Sequence, residues 1–180
     1  MDKIQTGKSL WLVLGLLILA LPLRWMAAVA ISIAVHEYCH YFAVRMCGGS
    51  VYSIYISASG LKMRTSALTP GKELFCALAG PIGGLLLFLL SGRLPRLALC
   101  ALIHSAYNLI PIYPMDGGRV VENLLLLLLP RYGTHIFLWM ERVLGSVVVA
   151  VCFWASFVQK LGIIPLLLAF GVLAKSEFMK

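Results

Sequence analysis

The sequence predicts an all-α polytopic membrane protein with about six transmembrane helices of roughly 20 residues each, and a short membrane-associated β-hairpin between the second and third helices. Of the 180 residues, 61% are hydrophobic and only 12% are charged, and the mean hydropathy is +0.95. These values are far outside the range of soluble globular domains. Short breaks that contain Pro, Gly or Arg separate the apolar runs. We therefore expect residues 1–180 to form a single transmembrane domain.

The breaks define the order of the predicted spans. Lys3 and Lys8 precede the first apolar run and resemble the start of a signal peptide. Cleavage near Ala30 would divide the second run, so we expect an uncleaved first span. An apolar helix at 119–129 is a candidate for an interfacial helix. The six predicted spans lie near residues 10–23, 25–46, 73–91, 96–111, 134–158 and 161–175.

The segment at residues 51–64 does not have a helical pattern. It is rich in β-branched and aromatic residues with partial alternation, and it carries Gly60 near its middle. We expect a cytoplasmic β-hairpin, and two roles stay open for it. It either links two helices, or forms a strand pair at the membrane surface whose free edge accepts an extended peptide by strand addition.

The excess of positive charge predicts topology rather than nucleic-acid binding. The net charge of +8 comes from 15 Lys and Arg against 7 Asp and Glu, and most of the basic residues fall on one predicted side. By the positive-inside rule we expect a multi-pass cell-membrane protein with both termini in the cytoplasm and with anionic lipid as a contact. The five cysteines include no CxxC pair, which argues against a disulfide framework.

Three ionisable residues cluster inside the second predicted span, in the sequence His36-Glu37-Tyr38-Cys39-His40. Residues four apart lie on one face of a helix, so both imidazoles can converge on one metal ion. Glu37 projects about 100° away from His36, where a carboxylate can act as a general base. The alternative is a pair of buried histidines bonded to backbone carbonyls, which leaves an uncompensated Glu in a membrane span.

A catalytic zinc site needs a third protein ligand. Asp116 is the best candidate because two prolines bend the chain at 111–117, and Gly117 and Gly118 let the backbone turn there. Non-helical backbone at membrane depth is tolerated where it lines protein or a water cavity. The other candidates are Glu73, His104, Glu122, His135 and Glu141.

The sequence HEYCH, followed by NLIPIYPMDGG, resembles the site-2 protease family of intramembrane zinc metalloproteases. Ala79-Gly80-Pro81 is similar to the family's AGP element. The likeness is closest to the stage IV sporulation protein FB branch, from residue 1 to about residue 176. We expect the chain to lack that branch's C-terminal regulatory domain.

The resemblance implies Zn²⁺ bound by His36, His40 and Asp116, with Glu37 as the catalytic base. It also implies that Asn108 helps to hold the substrate backbone. Cys39 stands where the family often has Gly, and we expect it to be a packing residue. Helix-packing roles are also the simpler expectation for His104, Tyr107, Gly80, Gly83 and Gly84.

We therefore predict an intramembrane metalloprotease that cuts a membrane-embedded or membrane-tethered protein, towards the cytoplasmic half of the bilayer. By resemblance, a transcription factor precursor is the expected type of substrate. One alternative is another HExxH peptidase whose third ligand is a Glu. A second alternative is a transporter or a non-enzymatic metal-binding membrane protein, since His and Asp in spans also mark ion pathways.

Overall fold

The computed structural model describes residues 3–6, 22–57 and 60–158. These residues form three strands and five α-helices, and a single turn of 3₁₀-helix, Phe88–Leu90, continues the second helix. The strands are β1 (Lys3–Thr6), β2 (Val51–Ser57) and β3 (Gly60–Thr65). The helices are α1 (Leu23–Met46), α2 (Pro70–Leu87), α3 (Pro95–Asn108), α4 (Asp116–Leu128) and α5 (Gly133–Phe157).

Three of the described helices are long and apolar enough to cross a membrane: Leu23–Met46, Pro70–Leu90 and Gly133–Phe157. They correspond to the spans predicted at 25–46, 73–91 and 134–158. The span predicted at 96–111 is α3, whose 14 residues extend about 21 Å at ~1.5 Å per residue, which is short of a hydrocarbon core of about 30 Å. Residues 10–21 of the first predicted span and the sixth predicted span, 161–175, lie outside the described residues.

Prolines mark the start of several helices. Pro22 precedes α1, Pro70 opens α2 and Pro95 opens α3. A proline in the first turn gives up an N–H that has no intrahelical partner there. The apolar helix predicted at 119–129 is α4, which begins three residues earlier, at Asp116.

The second helix lies at the centre of the described bundle, where α2 packs against α1, α3 and α4, and α5 packs on α4. Small residues allow these close approaches: a Cβ on Gly83 would overlap the Sγ of Cys39, and a Cβ on Gly84 would overlap the Oγ of Ser105. Cys39 thus packs against α2, as expected. Along α5 the buried residues are Gly133 and Phe137, so most of this apolar helix faces outward, as in a lipid-facing span.

The predicted hairpin is present, but it is part of a larger sheet. β2 and β3 pair antiparallel with Ser57 opposite Gly60, and β1 pairs parallel to β2 on the other side, with Ile4 opposite Ile54. The order β1-β2-β3 makes β2 the central strand. β1 covers the outer edge of β2, so the predicted strand pair is flanked on one side. Within the described chain, the two edges of this sheet are those of β1 and β3.

Candidate metal centre

The two histidines of the HExxH sequence point into the bundle from α1. One turn separates them, and the exposed fractions of His36 and His40 are 1% and 5%. Their Nε2 atoms lie 3.1 Å apart. The helical spacing therefore brings the two imidazoles to one point, as the sequence predicts.

Asp116 completes this group from the start of α4, 80 residues further along the chain than His36. Its Oδ2 lies 2.9 Å from Nε2 of His36 and 3.0 Å from Nε2 of His40. All three residues are buried, and their candidate ligand atoms lie within 4.8 Å of one another. Two imidazole nitrogens and a carboxylate oxygen are a donor set that zinc binds in catalytic sites.

The bent segment between α3 and α4 places Asp116 at this point. The non-helical residues are 109–115, whereas the sequence predicts a bent segment at 111–117 in which the two glycines let the backbone turn without a side chain in the way. Gly117 and Gly118 lie within the first turn of α4 and do not form a turn of their own. A Cβ on Gly117 would overlap the carbonyl of Leu109, and one on Gly118 would crowd the backbone at Ile112. The glycines therefore let α4 start directly against the preceding segment.

Two carboxylates on the helices that follow it hold the bent segment, residues 109–115, through hydrogen bonds from Tyr113. The hydroxyl of Tyr113 donates a short hydrogen bond to Glu122 on α4, and its backbone N–H donates to Oε1 of Glu141 on α5 over 2.9 Å. The ring of Tyr113 also meets the buried ring of Phe137 edge to face. These contacts join the bent segment to both helices that follow it.

The hydrogen bonding of His40 leaves a lone pair directed at Asp116. Nδ1–H of His40 donates to the carbonyl of Cys76 over 2.7 Å. A neutral imidazole carries one N–H, so Nε2 of His40 is then an acceptor, and it faces a carboxylate oxygen that is also an acceptor. Buried acceptors at 3.0 Å need a cation or an additional proton beside them. A metal-ligating histidine usually donates its other ring N–H to a carboxylate or a backbone carbonyl, as Nδ1–H of His40 does here.

The spacing of the three donor atoms also suits zinc. The distances of 2.9, 3.0 and 3.1 Å form a nearly equilateral triangle. Tetrahedral zinc with bonds of about 2.0–2.1 Å separates its ligand atoms by roughly 3.3 Å. The triangle is within a few tenths of an ångström of that spacing, so the residues fit a zinc ion with small adjustments.

Room for the imidazole of His40 comes from Gly80, in the Ala79-Gly80-Pro81 element. A Cβ built on Gly80 would overlap three atoms of the His40 ring. The sequence pointed to a general helix-packing role for this glycine. The structure gives it a specific contact with a candidate metal ligand.

The remaining charged residues lie around this group. Glu37 is half-buried on α1 and directly follows His36. Arg119 donates to Oε2 of Glu73 over 2.7 Å, and its NH1 lies 3.9 Å from Oδ1 of Asp116. The sequence reasoning missed Arg119, although its position three residues after Asp116 places it on the same face of α4.

The alternative third ligands have other contacts. Glu73 pairs with Arg119, and Glu122 and Glu141 accept the two hydrogen bonds of Tyr113. His135 is exposed on α5. His104 lies closer, with its ring 4.7 Å from the ring of His36, edge to face. In the described part of the chain, the group that could hold a metal ion is His36, His40 and Asp116.

Asn108 is the last residue of α3, and its side chain bonds back onto its own helix. Its amide donates to the carbonyl of His104 over 3.0 Å, and the same nitrogen lies 3.2 Å from Nε2 of His104. These contacts tie Asn108 to the helix that carries His104. Its role in holding a substrate stays a prediction.

Comparison with known proteins shows that the fold of this chain is similar to that of a solved protease. A solved structure of the site-2 protease from Methanocaldococcus jannaschii matches with a TM-score of 0.66 and 22% sequence identity, over 94% of this chain and 86% of that chain. A curated zinc metalloprotease from the same organism is 28% identical in an alignment of 109 residues that covers 53% of this chain and 32% of that protein. This chain thus matches about a third of that relative's length. No family model matches the chain.

Proposed function

We propose that this chain is an intramembrane zinc metalloprotease of the site-2 protease type. The observation that carries the proposal is the convergence of His36, His40 and Asp116 on one buried point, with Glu37 directly after His36 on the same helix. The fold shared with a solved site-2 protease, and the apolar helices of membrane-spanning length, support it.

The positions of the three candidate ligands support the following chemistry. When bound, zinc would act as a Lewis acid and would activate a water molecule for attack. Glu37 is the general base that takes the proton of the attacking water and then delivers it to the leaving nitrogen. Asn108 holds the substrate backbone.

The substrate is a membrane-embedded or membrane-tethered protein that must be locally extended before it is cut. A helix hides its carbonyls in intrahelical hydrogen bonds, so a protease needs a surface that accepts unwound chain. Among the described strands, β1 and β3 form the two edges of the sheet, and β3 is the edge proposed for strand addition because its Met63 packs against buried residues of α1 and α2.

The orientation and the biological substrate belong to the same proposal. Both termini are cytoplasmic in a multi-pass topology, and the lipid bilayer is the solvent of the spans. The cut falls towards the cytoplasmic half, which suits the release of a tethered transcription factor precursor. The resemblance to the stage IV sporulation protein FB branch supports that substrate class and a place in sporulation.

The test is cleavage of a reconstituted membrane substrate by the wild type and by Glu37→Gln. Glu37→Gln removes the base but none of the metal ligands, so we expect zinc content to stay at the wild-type value while cleavage falls about 10²–10⁴-fold. Tyr38→Phe is the matched control, because Tyr38 is the exposed neighbour within the same motif, and it should cut normally.

Two results would contradict the proposal. Cleavage at the wild-type rate by Glu37→Gln would remove Glu37 from the mechanism. Transport of zinc across liposomes by a wild type that cleaves no membrane substrate would favour a transporter.

A further inference from the structure

A cavity of about 350 Å³ lies between α1 and α3. Its position along α1 is one to three turns before the HExxH sequence. The volume is at the lower end of the range for ligand pockets, roughly 300–1,000 Å³. Its walls are mostly apolar and include Val29, Ile33, Cys100 and Ile103.

Two polar residues, Ser32 and His104, are also among the lining residues of this cavity, and both are close to the candidate metal centre along the chain or in space. Ser32 is only 1% exposed, and its Oγ has no hydrogen-bond partner among the described residues. The ring of His104 contacts the ring of His36, with a centroid distance of 4.7 Å. One layer of side chains therefore separates the cavity from the candidate zinc ligands.

A buried hydroxyl without a partner costs free energy. Ser32 precedes His36 by four residues, so it lies on the same face of α1 as the metal ligands. A ligand that brings an apolar group to the walls and a polar group to Ser32 would match both parts of the cavity. An unwound peptide segment has this chemistry, since it carries apolar side chains and unpaired backbone groups.

We propose that this cavity is the substrate subsite adjacent to the scissile bond, and that it takes an apolar side chain from the part of the substrate nearer the outer face of the membrane. Ser32 bonds a backbone group of the substrate that unwinding has freed. The inference rests on the proposed protease function and adds to it a binding position and a preference for apolar residues.

A second groove provides an internal comparison. It has about 340 Å³ and lies between α1 and α2, where Cys39, Phe42 and Gly83 are among its lining residues. None of the described buried side chains without a hydrogen-bond partner lines it. Each cavity contains a free thiol, Cys100 in the first and Cys39 in the second, so the two can be compared by one chemical method.

The first experiment is crosslinking from single-cysteine variants. One variant keeps only Cys100 and the other keeps only Cys39, with the remaining cysteines changed to Ala, and Glu37→Gln holds the substrate uncleaved. The substrate carries one cysteine within three residues of its cleavage site, on the outer side. With a bifunctional thiol reagent, we expect crosslinking from Cys100 and none from Cys39.

Each variant is also prepared with Glu37 intact to measure cleavage. Cleavage without any crosslink from Cys100, or with a crosslink from Cys39 alone, overturns the subsite and leaves the proposed function standing. Absence of cleavage by the wild type overturns both.

The second experiment does not depend on the cysteine variants. Val29→Phe fills the cavity, so we expect the ratio of kcat/KM for a Leu-containing substrate to that for its Ala counterpart to fall about 10-fold. Ser32→Ala should lower kcat/KM for both substrates by about 2- to 10-fold. A protein that is merely less stable loses both activities equally, so an unchanged ratio in Val29→Phe overturns the proposal.

Discussion

The two oxygens of Asp116 have different neighbours. Oδ2 faces the two imidazoles, while Oδ1 lies 3.9 Å from the guanidinium of Arg119. That guanidinium is itself held by Glu73 over 2.7 Å. The separation of 3.9 Å is too long for a hydrogen bond, so Arg119 acts on Asp116 through charge and orients the carboxylate towards the metal position. Glu73, an alternative metal ligand by sequence, instead positions Arg119.

The first prediction concerns this second layer of contacts. Arg119→Ala should weaken zinc binding about 10- to 100-fold, the usual cost of losing an outer-shell partner of a metal ligand. Arg119→Lys keeps the charge and should recover part of the affinity. The zinc affinity of each variant is measured by competition with a chelator. The control is Arg131→Ala, because Arg131 is an exposed arginine just after α4. Wild-type zinc affinity in Arg119→Ala would show that Arg119 only ties α4 to α2.

The second prediction concerns Gly80. Gly80→Ala should sharply reduce zinc binding, because the added methyl group would occupy the position of the His40 imidazole. Alanine is the better helix former, so the helical content should stay unchanged by circular dichroism. Gly71→Ala is the matched control on the same helix, since nothing lies within 4 Å of its added Cβ. Full zinc binding by Gly80→Ala would mean that His40 can move without losing the metal.

At the scale of elements, the sheet determines where an extended substrate can be held. β1 pairs with β2 over four residues, so β2 has both edges occupied. Among the described strands, β1 and β3 each keep an outer edge, and Met63 of β3 packs against buried residues of α1 and α2. The sequence of β1 gave no sign of this pairing, because a strand of four residues has little pattern of its own. Its partner is about 50 residues away along the chain.

The third prediction tests strand addition at β3. Successive N–H groups of a strand point to opposite edges, so one of Lys62→Pro and Met63→Pro removes an outward donor and the other removes a donor to β2. We expect the outward substitution to slow cleavage while zinc content is unchanged. The substitution that removes a donor to β2 weakens the sheet itself, so its cleavage rate shows the effect of a damaged sheet without the loss of an outward donor. Normal turnover in both variants would rule out substrate pairing with β3.

At the scale of the whole molecule, the site joins two parts of the chain that the bundle brings together. The pairing of His36 with His40 was predictable because helical periodicity fixes it locally. Asp116 was predictable as a candidate because prolines and glycines mark a non-helical segment among apolar runs. Its contact with the histidines depends on how α4 packs against α2, and no local pattern specifies that.

The contacts that the sequence did not predict are those between distant elements. The pairing of Glu73 with Arg119 joins residues 46 positions apart, and it depends on the rotation of two helices about their axes. The contact of Gly80 with the ring of His40 also depends on how α2 is rotated about its axis, since the same glycine could have faced lipid. Ionisable residues within apolar runs therefore indicated His36, His40 and Asp116 as candidate ligands. The packing of the helices against one another determines which of their atoms come into contact.

The most direct test of the central claim is the zinc content and zinc ligand set of the purified wild type and of Asp116→Ala. Element analysis should find one zinc per wild-type chain and a large loss in Asp116→Ala. X-ray absorption should show nitrogen and oxygen ligands at about 2.0–2.2 Å and no sulfur at about 2.3 Å. Full zinc occupancy in Asp116→Ala, or a sulfur ligand in the wild type, would contradict a site built from His36, His40 and Asp116.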